Sequence, residues 1–223
     1  MADKIKYYNA PIELYRHFLE HPNKCLDEVL DYLSAGYKSN ERDNAENELG
    51  IKFGGSSWER SHAIGAKLRK QTYSRVEFSI PRNIFWDYYE HTKSDIELKS
   101  LLCYLALKSI QGNKRYAYAE NTRMFRRMCG YGRKEDFDAV PKKELGRMGS
   151  VFSTKKNEQA SGKRIRLATM QMFDSFHCST HTRGLGRFFF MIGDRDRDKC
   201  MAELSAYIED YKRKIKIKND YEI

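Results

Sequence analysis

The sequence predicts a mainly helical protein with a small β-hairpin, built as a helical N-terminal domain followed by a mixed module. Three observations carry that expectation. Apolar residues recur at helical spacing, most densely over 96–110. Alternation with period two is confined to short runs at Arg75–Ile80, Arg115–Tyr118, Val151–Lys155 and Arg164–Ala168. Positive charge is concentrated: the chain holds 41 Lys and Arg against 31 Asp and Glu, and residues 113–170 alone carry 15 basic and 6 acidic side chains. The remainder is close to neutral. The expected divisions are 1–75, a helical accessory domain; 76–176, the mixed module; and 177–223, a linker, a short strand and an amphipathic helix.

At 223 residues the chain is long enough to bury a core without disulfides. A hydrophobic content of 40% with 13% aromatic residues argues for a folded protein. No run of some 18 apolar residues suggests a membrane span, and Met1–Lys6 lacks the apolar core of a signal peptide. Five cysteines at irregular spacing suggest reduced thiols and a cytoplasmic setting.

In chain order, residues 1–8 read as a lead in which Tyr7 and Tyr8 could dock. Asn9 reads as an N-cap with Pro11 in the first turn of a helix to Glu20, and Pro22 ends it. A second helix, Lys24–Ala35, turns Leu26, Val29, Leu30 and Leu33 inward and stops at Gly36. Ala45–Leu49 suits a short helix, and Ser56 and Glu59 form a capping box opening a helix to Lys70. Arg75–Ile80 alternates as a strand. Pro81 starts an aromatic helix, Arg82–His91.

Ser94 and Glu97 form a second capping box. The helix that follows to Ile110 is apolar on more than one stripe, as expected of a central helix. Gly112 stops it and Arg115–Tyr118 fits a short strand. Asn121 caps a helix over Thr122–Met128, Cys129–Gly132 is a turn, and a third helix starts at Arg133 with Phe137 and Val140 inward. It ends at Val140, or a fresh helix starts at Pro141 and runs to Arg147. Val151–Lys155 and Arg164–Ala168 then read as a hairpin around the polar loop Asn157–Gly162. Met170–Phe176 suits a short helix, Ser175–Gly186 a linker and Arg187–Ile192 a strand. Asp198 to about Ile215 is an amphipathic helix ending in a basic run. Leu101, Leu102, Leu105, Phe125 and Phe137 are expected to share one core.

Helix, strand, helix, turn, helix, hairpin is an order carried by Phe125–Gly130, by Arg133, Lys134 and Phe137, and by Lys163–Arg166. Over about a third of the chain it resembles the winged helix-turn-helix superfamily, and the arrangement looks like the winged helices of plasmid and phage replication proteins. Two departures are Arg126, where that superfamily often has a small residue in the helix crossing, and Pro141. The resemblance and the charge together imply a double-stranded DNA partner. The task implied is transcriptional regulation or replication initiation on a chromosome or mobile element. Arg133, Lys134, Lys142 and Lys143 would lie near the recognition helix, Arg126 and Arg127 would hold phosphates, and Lys155, Lys156, Lys163, Arg164 and Arg166 would form the wing. A homodimer or another protein partner also fits.

Two rival readings are a protein-binding adaptor and a metal-dependent nuclease. For the latter, Asp194, Asp196 and Asp198 alternate, but Lys199 and Ser205 stand where a calcium loop requires Gly and Glu. His177, Cys178 and His181 lack a fourth zinc ligand at regular spacing. His17 and His21 are spaced as a helical pair without the metalloprotease residues between them, and Gly184–Gly186 lacks the rest of a phosphate loop. No cofactor, catalytic residue or metal is expected.

Overall fold

The computed structural model describes residues 7–54, 56–179 and 186–221, with side chains described as far as Lys216. It is mainly helical with a small antiparallel sheet. The chain divides into two compact units, residues 1–98 with 126–149 and residues 99–125 with 150–223. Among the described residues no helix is long and apolar enough to cross a membrane.

In the first unit, β1 (Tyr7–Pro11) pairs antiparallel with β2 (Glu77–Pro81), with Asn9 opposite Ser79. The expected helix at Asn9 is therefore a strand. Tyr8 and Ala10 are buried while Tyr7 and Asn9 are exposed, a period of two. Pro11 also biases Ala10 towards extended backbone. A short 3-10 turn, Ile12–Tyr15, follows, and Pro22 starts the next helix instead of ending the previous one. Helices α1 (Pro22–Ser34), α2 (Arg42–Leu49) and α3 (Ser57–Arg69) lie near the expected places, although the Ser56 side chain makes no cap hydrogen bond. Because β2 pairs with β1, residues 76–98 group with the N-terminal helices. α4 (Arg82–Glu90) buries Phe85, whose ring meets Tyr8 edge-on at 4.9 Å.

The second unit is built on α5 (Asp95–Gln111), whose first residues fall in the first unit. The capping box forms as read: Ser94 N donates to Glu97 Oε2 at 2.8 Å and Glu97 N to Ser94 Oγ at 3.4 Å. Leu101, Leu102, Leu105 and Leu107 are buried. After α5 come β3 (Ala117–Ala119) and α6 (Asn121–Met128). Later in the chain, β4 (Phe176–Cys178) and β5 (Phe188–Ile192) complete a three-stranded antiparallel sheet of order β3-β5-β4. The registers are Ala117 opposite Phe190 and Cys178 opposite Phe190. α9 (Arg197–Tyr221) lays Cys200, Leu204 and Ile208 against Phe189 and Met191 of the central strand. That contact brings 186–221 into this unit, and β4 occupies part of the expected linker.

The hairpin expected at Val151–Lys155 and Arg164–Ala168 is not there. A 3-10 segment, Lys142–Phe152, leads into α8 (Lys155–Met172). Thr154 is extended and its side chain accepts from Asn157 N at 3.1 Å, an N-cap that starts the helix. Gln, Ala, Lys and Arg then sustain it. Five alternating residues at 164–168 fit a helix equally well, because Ile165 and Thr169, four apart, share a buried face. Thr154→Ala should lower stability by about 1 kcal/mol, within the usual 0.5–2 kcal/mol for a lost cap. Chemical denaturation checks this, and an unchanged midpoint would contradict the cap.

The expected shared core is divided. Leu101, Leu102, Leu105, Phe125 and Phe137 are all buried, but Phe137 belongs to the first unit. There it meets Tyr131 at 5.6 Å. The turn at Gly130, with φ of 76°, explains why. A side chain there would collide with the Ile12 carbonyl and with Arg16. Arg16 in turn lies 4.5 Å from the Tyr131 ring centre. The third helix is reduced to α7 (Lys134–Asp138).

Candidate nucleic-acid interface

α8 has two faces of different chemistry. Gly162, Ile165 and Thr169 are buried at the i, i+3, i+7 spacing of one helix face. Lys156, Gln159, Ala160, Lys163, Arg164, Leu167 and Gln171 are exposed, on the other side. The helix carries five basic side chains against one acidic one. That acid, Glu158, accepts from Thr122 Oγ1 at 2.8 Å.

The buried face is held at the start of α6. Asn121 sits so close to Gly162 that an added Cβ would lie 2.5 Å from Asn121 Oδ1. The small residue that lets the two helices approach is thus on α8, and not at Arg126, the position where the winged-helix resemblance implies one. Arg166 Nη1 donates to the same Asn121 oxygen, and its guanidinium lies 4.0 Å from the centre of the Phe188 ring. Thr169 Oγ1 donates to Ile165 O at 2.8 Å, satisfying a buried hydroxyl. These contacts fix the rotation of α8, and so decide which side chains face solvent.

The residues expected to bind DNA do not form one recognition helix and one wing. Lys155, Lys156, Lys163 and Arg164 are exposed on α8, not on a hairpin. Arg166 is on α8 too, but is turned inward to Asn121 and Phe188. Arg127 on α6 is 8% exposed, too buried to hold a phosphate at the surface, while Arg126 is half-buried. Arg133, Lys134, Lys142 and Lys143 are exposed in the first unit. α7 beside them is five residues long and includes Glu135, Asp136 and Asp138, so it makes a poor reading helix. Gln159, Ala160, Leu167 and Gln171 join this exposed face, which the strand pattern does not indicate. The signal for them was the helical spacing that begins at the Thr154 cap.

The acidic and His/Cys clusters are engaged in structure. Asp194 accepts from Asp196 N at 3.2 Å, and the bonds from that N–H and from Arg115 hold its carboxyl below the usual range. Asp196 accepts from Lys199 N at 3.1 Å at the start of α9. Glu203 takes Arg115 Nη2 and the Tyr116 hydroxyl, each at 2.8 Å. His177 Nε2 lies 2.8 Å from Asp194 O, and burial pushes the neighbouring Cys178 thiol up to about 11. His181 and Gly184 lie outside the described residues. Among the described residues no group of three metal-ligating side chains comes together. His17 and His21 flank a turn ahead of α1 and do not share a helix. All five cysteines are buried and free.

Compared with protein-family models, with curated proteins and with solved structures, the chain has no match.

Proposed function

We propose that this chain binds double-stranded DNA through the exposed face of α8, in the manner of a winged helix-turn-helix protein. The observation that carries the reading is the basic, amide-bearing stripe of α8, held in a fixed rotation by the Gly162–Asn121 approach to α6. With α7 and the 3-10 segment set aside in the first unit, the order α5, β3, α6, α8, β4, β5 and the sheet order β3-β5-β4 support it, since they resemble the winged-helix plan with α8 in the place of the reading helix. Lys156, Lys163 and Arg164 then contact phosphate or base edges. Lys155 is a further phosphate contact on α8, and Arg133, Lys134, Lys142 and Lys143 give the first unit phosphate contacts of its own. The task is regulation of transcription or initiation of replication, in the cytoplasm, where five free thiols remain reduced.

The test is a titration of the full chain against a labelled random-sequence duplex at several salt concentrations. Binding should weaken with a slope of about −0.9 in log K against log salt for each phosphate neutralised. Absence of binding at the lowest salt would overturn the reading and favour a protein adaptor.

A further inference from the structure

Four large hydrophobic side chains are exposed among the described residues: Tyr7, Tyr118, Leu167 and Met172. Two of the four are on α8. Leu167, 39% exposed, lies one helical turn beyond Lys163 and Arg164 on the same stripe. Ala160 lies two turns before it, about 10 Å along the axis at 1.5 Å per residue. An apolar group beside cations is poorly placed for an apolar protein surface, because docking would strand the ammonium and guanidinium groups without water. It suits a polyanion that also offers an apolar spot. Duplex DNA has one in its major groove, the C5 methyl of thymine, while neighbouring phosphates take the cations.

We propose that Leu167 is a specificity-determining residue that reads a thymine methyl in the major groove. The inference rests on the DNA-binding reading above and narrows it to thymine-containing duplex. Uracil keeps every hydrogen-bonding group of thymine and lacks only the methyl, so the chemistry also separates DNA from RNA.

The experiment selects duplexes from a random library with the full chain. The enriched duplex is then resynthesised with deoxyuridine replacing thymidine at one position at a time. The intact chain should lose roughly fourfold in affinity at one or two positions, the value of about one buried methyl group. Leu167→Ala should bind thymine and uracil alike at one of them, and Leu167→Met, which restores apolar reach, should recover part of the preference. Thermal melts establish that both variants fold, as expected for an exposed site. Indifference to uracil at every position, or full discrimination by Leu167→Ala, overturns the inference while leaving DNA binding intact. Binding without enrichment of any sequence does the same. Failure to bind any duplex overturns the DNA-binding reading as well.

Discussion

Replacing Lys156, Lys163 and Arg164 together by alanine should weaken binding to every duplex by a few hundredfold at about 0.1 M salt. If each neutralises one phosphate, counterion release gives a factor of about eight per contact at that salt, and the three multiply. The slope of log K against log salt should become shallower by about 2.7. All three side chains are exposed, on the side of α8 away from Gly162, Ile165 and Thr169, so the fold should be unaffected. Fluorescence anisotropy titrations at several salt concentrations measure both quantities. An unchanged affinity and slope would mean that α8 does not contact the backbone. Replacing Arg133 and Lys134, beside the five-residue α7, should likewise make the salt slope shallower, without altering preference between sequences.

The largest effect on stability is expected from Phe189→Ala. Phe189 is fully buried in the central strand of the sheet. Its ring lies 5.1 Å from Tyr211 and 5.8 Å from Tyr118, and it packs with Cys200, Leu204 and Ile208 of α9. Truncation leaves a cavity where β3, β5 and α9 meet, and buried Phe→Ala changes cost about 3–5 kcal/mol. For a chain of this length each kcal/mol lowers the melting temperature by about 2–4 °C, so the total is on the order of 10 °C. Calorimetry would measure it. A loss below about 1 kcal/mol would mean that α9 is not packed on the sheet.

Much of the fold was legible because its local signals agree with its packing. The Ser94–Glu97 box, the apolar run after it, the Asn121 start of α6 and the aromatic run at 188–192 each specify one element, and tertiary structure kept each. The hairpin misreading has a definite cause. Local pattern marks Gly162 as a loop glycine, but its reason for being glycine lies 41 residues away in Asn121, a distance that local pattern does not cross. The same holds for β1, where a plausible helix start lost to pairing with a strand about 70 residues later. Arg127 and Arg166 are basic in composition but serve the interior: one is buried, and the other is held by Asn121 and Phe188. Counting charge located the basic region and could not sort its members by direction. That sorting needed the helix, since a period of two and a period of 3.6 put different residues outward.

The central claim is that α8 enters the groove of duplex DNA. Its most direct test places a hydroxyl-radical-generating iron chelate at the exposed end of the stripe, through Gln171→Cys. The five native cysteines are buried, so the label attaches selectively to the new thiol. The labelled chain, bound to a selected duplex, should cut a few adjacent base pairs. A duplex that stays bound and uncut, or that is cut evenly along its length, would contradict α8 as the reading helix.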